Sequence, residues 1–252
     1  MTTLDPLAEL AYWNIWQQCV VEGLPNFAAQ GMYVEQESVD PNEVTGVLTN
    51  LLCFEDLPGM DRDVRYGGRK FYTLIGTVTR MWVDGNVEID FLRRKLDDLK
   101  SLDVLDIGAG YGRLAVMLAP LVNSYACVDS VRVSSIICRY YTSMHSSHPI
   151  EVYDTTQFRD TMSSLHPSLA INIHSWNECS LSQISRWLDV LDDLGTRWLF
   201  TVSHGRNIDD TSYLTCEKGE PSFKPLLQDR YKLVVEENIG IGMHPHALWK
   251  RR

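Results

Sequence analysis

The sequence contains no apolar run that approaches the roughly 18 to 20 residues needed to span a bilayer. Its first ten residues, MTTLDPLAEL, carry acidic residues where a secretory signal peptide carries basic ones. The six cysteines form no CxxC pair and mostly lie inside apolar runs, as buried free thiols do in a reducing compartment. These absences predict a cytoplasmic protein without a membrane partner.

A surplus of basic residues is also missing. The 252 residues include 23 Lys and Arg against 33 Asp and Glu, which gives a formal net charge of −10. Nucleic-acid binding depends on clustered Lys and Arg that displace counterions, and the longest internal basic cluster, residues 93–95, is soon followed by Asp97 and Asp98. The composition therefore disfavours a nucleic-acid partner and favours a small or neutral substrate.

Helix signals dominate the first hundred residues. Asp5 and Asp40 each precede a proline, as a capping carboxylate precedes a proline at the first helical position, and apolar residues follow both at helical spacing. Two further helices are predicted at Lys70 to Met81 and Val87 to Leu99, on either side of the turn dipeptide Asp84-Gly85. The sequence therefore predicts a helical N-terminal cap over residues 1–100.

The pattern changes after Ser101 to short β-branched and apolar runs that alternate with helical stretches, which is typical of βαβ units and a parallel sheet. Two last segments, 231–236 and 239–249, lie close together around Asn238 and Gly240, as in a hairpin. Residues 101–252 are therefore predicted to form an α/β domain with a Rossmann-like sheet. Its five parallel strands are predicted at Asp103 to Ile107, Ser124 to Val128, Ile150 to Tyr153, Ala170 to His174 and Trp198 to Val202.

A glycine-rich segment follows the first of these strands. Asp106-Ile107-Gly108-Ala109-Gly110-Tyr111-Gly112 leads directly into an apolar helix. Glycines permit sharp turns at positive φ and close approach to a ligand, and a helix N-terminus offers free N–H groups. The spacing is GxGxG after an acid, whereas the dinucleotide fingerprint GxGxxG needs a glycine where Arg113 stands. An acid at the strand end suits a ligand with an ammonium and a carboxylate better than a pyrophosphate; the alternative is a purely structural turn.

Further carboxylates end the next two predicted strands. Asp129, 17 residues after Gly112 and followed by Ser130, is placed to accept hydrogen bonds from both ribose hydroxyls of an adenosine. S-adenosylmethionine (SAM) combines an adenosine with an amino-acid end, and a loop at Arg65 and Tyr66 is suited to close over its carboxylate. The predicted cofactor-binding residues are Tyr66, Asp106, Gly108, Ala109, Gly110, Gly112, Asp129, Ser130, Asp154 and Thr155, the last two beside the adenine.

This constellation resembles the class I SAM-dependent methyltransferases over about residues 100 to 250. The resemblance implies a sheet of five parallel strands followed by an antiparallel hairpin. The segment Asn172-Ile173-His174-Ser175-Trp176-Asn177-Glu178-Cys179-Ser180 also resembles a bacterial group of sugar O-methyltransferases, in which a helical portion precedes the cofactor loop. This second resemblance implies a sugar or glycoside acceptor, such as a mannoside in methylated polysaccharide biosynthesis.

Methyl transfer to an oxygen needs an aligned acceptor and a base for the hydroxyl proton. His174 and Glu178 follow the fourth strand, whose end lies beside the first, so they are the predicted catalytic residues, with His174 as base and Glu178 orienting it or binding a sugar hydroxyl. A structural alternative stays open: His174 is a strand-end histidine and Glu178 caps the next helix.

No metal ion is predicted. A magnesium site from Asp154, Asn177, Asp209 and Asp210 is left as an alternative, because acid pairs in turns are commonly solvated. The histidine pairs His145 and His148, and His244 and His246, favour structural or surface roles, since each lacks a third ligand.

The predicted partner is therefore a small-molecule or oligosaccharide acceptor, and a homodimer is left open. Two rival functions remain at this point: methylation of a non-sugar acceptor, and a non-catalytic scaffold that binds the cofactor.

Overall fold

The computed structural model describes residues 70–73, 76–130, 132–203 and 222–252. The predicted helices before residue 70 lie outside these ranges, and so do Arg65, Tyr66, Asp209 and Asp210. The division into a cap of residues 1–100 and a catalytic domain of residues 101–252 stays a prediction.

A seven-stranded sheet forms the centre of the described chain. Its order is β5-β4-β3-β6-β7-β9-β8; the first five of these run parallel, and β9 runs antiparallel to both β7 and β8. This arrangement confirms the predicted fold class. The five predicted parallel strands are present within one residue of their predicted bounds, whereas β8 runs three residues beyond its predicted end and β9 begins five residues after its predicted start. The strands are β3 (Asp103–Ile107), β4 (Ser124–Asp129), β5 (Glu151–Asp154), β6 (Leu169–Ile173), β7 (Trp198–Val202), β8 (Tyr231–Ile239) and β9 (His244–Arg251).

Helices cover both faces of the sheet. On one face α1, α2 and α3 pack in a core that includes Phe91, Leu114 and Phe200; on the other α4, α5 and α6 pack in a core that includes Phe158 and Trp187. The helices are α1 (Arg80–Lys95), α2 (Arg113–Leu118), α3 (Arg132–His145), α4 (Thr155–Thr161), α5 (Leu181–Asp193) and α6 (Lys224–Arg230), with 3-10 turns at Leu99–Ser101, Ala119–Leu121, Met162–Ser164 and Ser175–Glu178.

The strand order reverses at β3, which pairs with β4 on one side and with β6 on the other. Chain connections leave the sheet in opposite directions at such a point, and this opens a crevice beyond the carboxyl ends of the strands, where ligands of α/β proteins bind. The glycine-rich segment and the residues after β6 both lie at this edge.

The helix predicted at Lys70 to Met81 is wrong. The chain forms an antiparallel pair there, β1 (Lys70–Thr73) and β2 (Gly76–Thr79), and only then enters α1. The segment is rich in aromatic and β-branched residues, which favour strands, and the Thr79 hydroxyl caps α1 by accepting from the Trp82 N–H at 3.2 Å.

The predicted turn at Asp84-Gly85 is also wrong, because α1 runs through it. Helix α1 lies so close to α2 that a Cβ on Gly85 would be 2.6 Å from Met117 Sδ. Glycine costs about 1 kcal/mol in a helix, and here it permits that close approach between the helices.

Candidate functional site at the carboxyl edge of the sheet

The glycine-rich segment turns tightly between β3 and α2. Gly108, Gly110 and Gly112 have φ angles of +74°, +58° and +88°, a region that is costly for residues with a Cβ. The Gly108 N–H donates to the Val128 carbonyl at 2.8 Å, which ties the turn to the neighbouring strand β4. All three glycines therefore have the conformational role that the sequence predicted.

The turn is also fastened to the residues that follow β6. Asn172 Nδ2 donates to the Ile107 carbonyl at 2.9 Å and to Ser175 Oγ at 2.5 Å, and Ser175 Oγ donates to the same carbonyl at 3.3 Å. A Cβ on Gly108 would lie 2.2 Å from Ser175 Oγ. Sequence reasoning missed this positioning role of Asn172 and Ser175, although both are polar residues at a predicted strand end.

Replacing Gly108 with alanine is expected to destabilise the protein more than replacing Gly195, which has nearly the same φ of +71°. The strain of about 1–2 kcal/mol for a Cβ in this region applies to both. Only Gly108→Ala adds overpacking, worth about 1–3 kcal/mol, because the nearest atom at Gly195 is 3.7 Å away. Urea denaturation of the two variants measures the difference; equal losses of unfolding free energy would contradict the packing at Ser175.

Asp129 faces the glycine turn from the end of β4. Its side chain is buried, and its Oδ2 accepts a hydrogen bond from the Gly110 N–H at 3.0 Å. Ser130 follows it and is half-buried. The structure thus brings the predicted ribose carboxylate against the predicted cofactor loop.

Asp154 ends β5 directly beside Asp129, with which it pairs across the strands. Its Oδ1 accepts from the Gln157 N–H at 2.9 Å, while Gln157 Oε1 accepts from the Asp154 N–H at 3.2 Å, which forms a capping box for α4. Thr155 is buried. Asp154 therefore has a structural role as the cap of α4, and contact of Asp154 and Thr155 with an adenine stays a prediction.

Asp106 lies beneath the turn and is 4% exposed. Its Oδ2 accepts from the Tyr125 hydroxyl at 2.9 Å, and burial raises the pKa of its carboxyl to about 7 even though Arg113 opposes the shift. Burial therefore favours the protonated form of Asp106 more than solvent would. The second carboxylate at the turn, Asp129, adds to this rise in the pKa.

Arg113 and Glu88 form a buried ion pair that joins α2 to α1. Two parallel bonds of 2.9 Å run from the guanidinium to the two carboxylate oxygens, and Arg113 Nη1 also donates to the Met81 carbonyl at 3.3 Å. Burial raises the pKa of Glu88 to about 7 against the opposing effect of Arg113, whose own pKa is raised by Glu88. Sequence reasoning missed the pair, because nothing local links residues 25 positions apart.

His174 and Glu178 both lie at this edge, as predicted. His174 directly follows β6 and has a φ of +62°, and its N–H donates to the Val202 carbonyl at the end of β7 at 2.7 Å. Residues Ser175–Glu178 form one 3-10 turn, in which Glu178 is buried while His174 is half-buried. A non-glycine residue at positive φ costs about 1–3 kcal/mol and often marks a functional site.

His244 also reaches this edge, from the start of β9. Its ring contacts the ring of His174 with centroids 5.1 Å apart. No local pattern indicates this contact, because β7 separates the two strands.

The surroundings of the three other paired histidines, His246, His145 and His148, fit the structural or surface roles that the sequence favoured. His246 packs against Phe91 and Phe200, donates through Nδ1 to the His244 carbonyl at 2.8 Å, and has its pKa lowered to about 4 by burial. His145 packs on Tyr141 at 4.7 Å, whereas His148 is exposed.

Within the described ranges, no group of three His, Cys, Asp or Glu residues is arranged to hold a metal ion. Two of the residues named for a magnesium site, Asp209 and Asp210, lie outside those ranges. Among the described helices, none has both the length and the apolar character needed to cross a membrane.

No protein-family model and no curated protein sequence matches the chain. Among solved structures, the chain is similar to magnesium protoporphyrin IX methyltransferase from Synechocystis PCC 6803 with bound SAM, at 14% identity and a TM-score of 0.48 over 68% of this chain and 84% of that one. A SAM-dependent methyltransferase from Aquifex aeolicus has 14% identity and a TM-score of 0.48 over 66% and 89% of the two chains. The 16S rRNA N2 G1207 methyltransferase of T. thermophilus has 13% identity and a TM-score of 0.49 over 67% and 43%. Similarity at such low sequence identity bears on the fold and carries no information on the activity of this chain.

Proposed function

We propose that this protein is a SAM-dependent methyltransferase. The observation that carries the proposal is the pair of buried carboxylates, Asp106 and Asp129, at the ends of adjacent strands beside a turn of three glycines at positive φ. An ionised carboxylate accepts hydrogen bonds and donates none. A ligand with an ammonium group and two ribose hydroxyls supplies matching donors, whereas a pyrophosphate would add negative charge beside them.

In this proposal Asp106 organises the ammonium end of SAM, Asp129 accepts from the ribose hydroxyls, and the glycine turn lets the backbone approach the ligand. Thr155 and Asp154 would flank the adenine. The bound cofactor supplies a methyl group on a sulfonium, which is electrophilic. The chain itself has to hold the acceptor in line with that methyl group, exclude water and remove one proton.

His174 is the proposed base. A bound SAM would supply the methyl group to the acceptor oxygen and would leave as SAH, and His174 would take up the hydroxyl proton on a ring nitrogen. Glu178, buried four residues further on, orients the imidazole or binds an acceptor hydroxyl. The hydrogen bond from the His174 N–H to Val202 supports this role, because it fixes the backbone of the base at the crevice.

A sugar or glycoside is the proposed acceptor. Support comes from the resemblance of residues 172–180 to sugar O-methyltransferases, together with the polar groups that this segment brings to the edge. Incubation with labelled SAM and a panel of mannosides, phenols and peptides tests the proposal. Label in a mannoside is expected; label only in phenols or peptides would contradict the sugar acceptor, and binding of SAM without any consumption would indicate the non-catalytic scaffold.

Calorimetry with S-adenosylhomocysteine (SAH), the demethylated product, tests the cofactor site. SAH is expected to bind and NADH is not. Because burial raises the pKa of Asp106 to about 7 and its carboxyl must be ionised to bind an ammonium group, the affinity for SAH is expected to be about tenfold higher at pH 8 than at pH 6.

The variant Asp106→Asn is expected to bind SAH more weakly and to lose this pH dependence. Glu88 is another group whose pKa burial raises to about 7. If Asp106→Asn kept the full pH dependence, the titration would belong to Glu88, and the proposed role of Asp106 would be wrong.

A further inference from the structure

We infer that His244 positions His174 for the proposed proton transfer, and that Arg80 holds His244 in the neutral form that does so. The inference rests on the proposed function, because it assigns a partner to the proposed base. It gives His244 a role in the reaction beyond the structural one that its sequence pattern favoured.

The contact between the two rings is the first observation. The imidazoles of His174 and His244 meet with centroids 5.1 Å apart and planes at 70°. They come from the carboxyl end of β6 and the start of β9, so they meet across the end of β7, which pairs with both strands. His244 is 8% exposed, whereas His174 is half-buried. The more accessible ring therefore rests against a buried one.

The second observation is the donor on the far side of His244. Arg80 Nη2 lies 3.4 Å from His244 Nε2 in a buried contact. A guanidinium has donors only, so Nε2 has to accept, and the neutral ring then carries its proton on Nδ1. Arg80 Nε also contacts Asp84 Oδ2 at 3.3 Å, which fixes the guanidinium in place.

The turn between β8 and β9 encloses the same side of the ring. A Cβ on Gly242 would be 3.2 Å from His244 Nε2, and Gly242 has a φ of +80°. With Arg80 and this turn against Nε2, that nitrogen is not open to an acceptor hydroxyl. His244 is therefore a positioning residue that acts through His174.

Charge explains why the neutral form persists. A proton on Nε2 would place a second positive charge beside a buried guanidinium, which is unfavourable. His244 thus stays neutral at pH values where a solvated histidine titrates. It leaves His174 free to take up a proton without repulsion from its neighbour. Among the described residues, the titratable and charged groups on the elements next to the two rings are Arg80, which contacts His244, Asp84, which contacts Arg80, Glu178 on the 3-10 turn that follows His174, and His246 on β9.

Nitrogen-15 NMR of the full-length protein with labelled histidine tests the inference without a cofactor. His244 is expected to be neutral between pH 6 and 8 with its proton on Nδ1. Arg80→Lys retains a cationic donor and is expected to keep this tautomer, whereas Arg80→Met is expected to lose it. A proton on His244 Nε2, or a charged ring at pH 7, in the wild-type protein would overturn the inference.

A kinetic experiment compares His244→Gln and His244→Ala with the wild-type protein, using the acceptor that the panel of mannosides, phenols and peptides identifies. The rate of methyl transfer, kcat, is expected to fall about 10- to 100-fold because the base is no longer held in line, while SAH affinity changes by less than about twofold. The exposed His148→Gln serves as control and is expected to leave kcat unchanged. Wild-type kcat in both His244 variants would refute the positioning role alone, whereas absence of SAH binding to the wild-type protein would refute the proposed function.

Discussion

Replacing His174 with glutamine is expected to lower the rate of methyl transfer about 10²- to 10⁴-fold, the range in which a positioned general base contributes. Glutamine keeps hydrogen-bonding groups but cannot take up the hydroxyl proton. The backbone bond from residue 174 to Val202 needs no imidazole, so the crevice keeps its shape. Initial rates with labelled SAM measure the effect, and calorimetry is expected to give an SAH affinity within about twofold of wild type.

Glu178→Gln and His148→Gln complete this comparison. Glu178→Gln removes a buried carboxylate near the base and is expected to lower the rate by a smaller factor, whereas His148 is exposed and its replacement is expected to change nothing. Near-normal turnover in both His174→Gln and Glu178→Gln would mean that the base lies elsewhere in the chain, while the cofactor proposal would stand.

Replacing Arg113 with methionine is expected to destabilise the protein by about 3–5 kcal/mol, because it leaves the carboxylate of Glu88 buried without its cation. Glu88 is 3% exposed and accepts both strong bonds from Arg113. Burial already raises the pKa of Glu88 to about 7, and loss of Arg113 would raise it further. The destabilisation is therefore expected to be larger at pH 8, where ionised Glu88 is the costly form, than at pH 5, where it is protonated. Urea denaturation at the two pH values measures this.

A double variant and a surface pair separate charge from packing. Glu88→Gln combined with Arg113→Met removes both charges and is expected to recover most of the lost stability. Arg230→Met breaks contacts to the exposed Asp189 and to Asp192, and such surface pairs are worth less than about 1 kcal/mol. If Arg113→Met lowered the free energy of unfolding by no more than Arg230→Met, the buried pair would stabilise the protein no more than a surface pair does.

The parallel sheet and the glycine turn were predictable because their signals are local. Each strand is a short run of β-branched and apolar residues, and β3 and β7 have the bounds that the sequence indicates. Each residue of this turn that has a positive φ is a glycine, so the spacing of glycines in the sequence indicates the turn. The position of Asp129 was predicted from its separation along the chain, 17 residues after Gly112.

The contacts that complete the site depend on tertiary structure. His174 meets His244, and Arg113 meets Glu88, through strands and helices that the chain brings together from distant positions. The segment from Lys70 to Met81 was misread for a related reason: its apolar spacing fits a helix, but its threonines and aromatic residues favour the strands it forms. Local periodicity cannot decide between these two tendencies.

Helix α1 contacts both halves of the crevice. Arg80, in its first turn, contacts His244 beside the proposed base, and Glu88, two turns later, pairs with Arg113, which follows the glycine turn. Eight residues of helix span about 12 Å, so the same helix contacts one residue beside each of the two proposed ligand sites. A shift of α1 along its axis would change both contacts at once. If a cofactor shifts the helix and so changes the affinity for the acceptor, the acceptor is expected to change the affinity for the cofactor by the same factor. Any coupling between the proposed donor and acceptor sites is therefore expected to depend on this single helix.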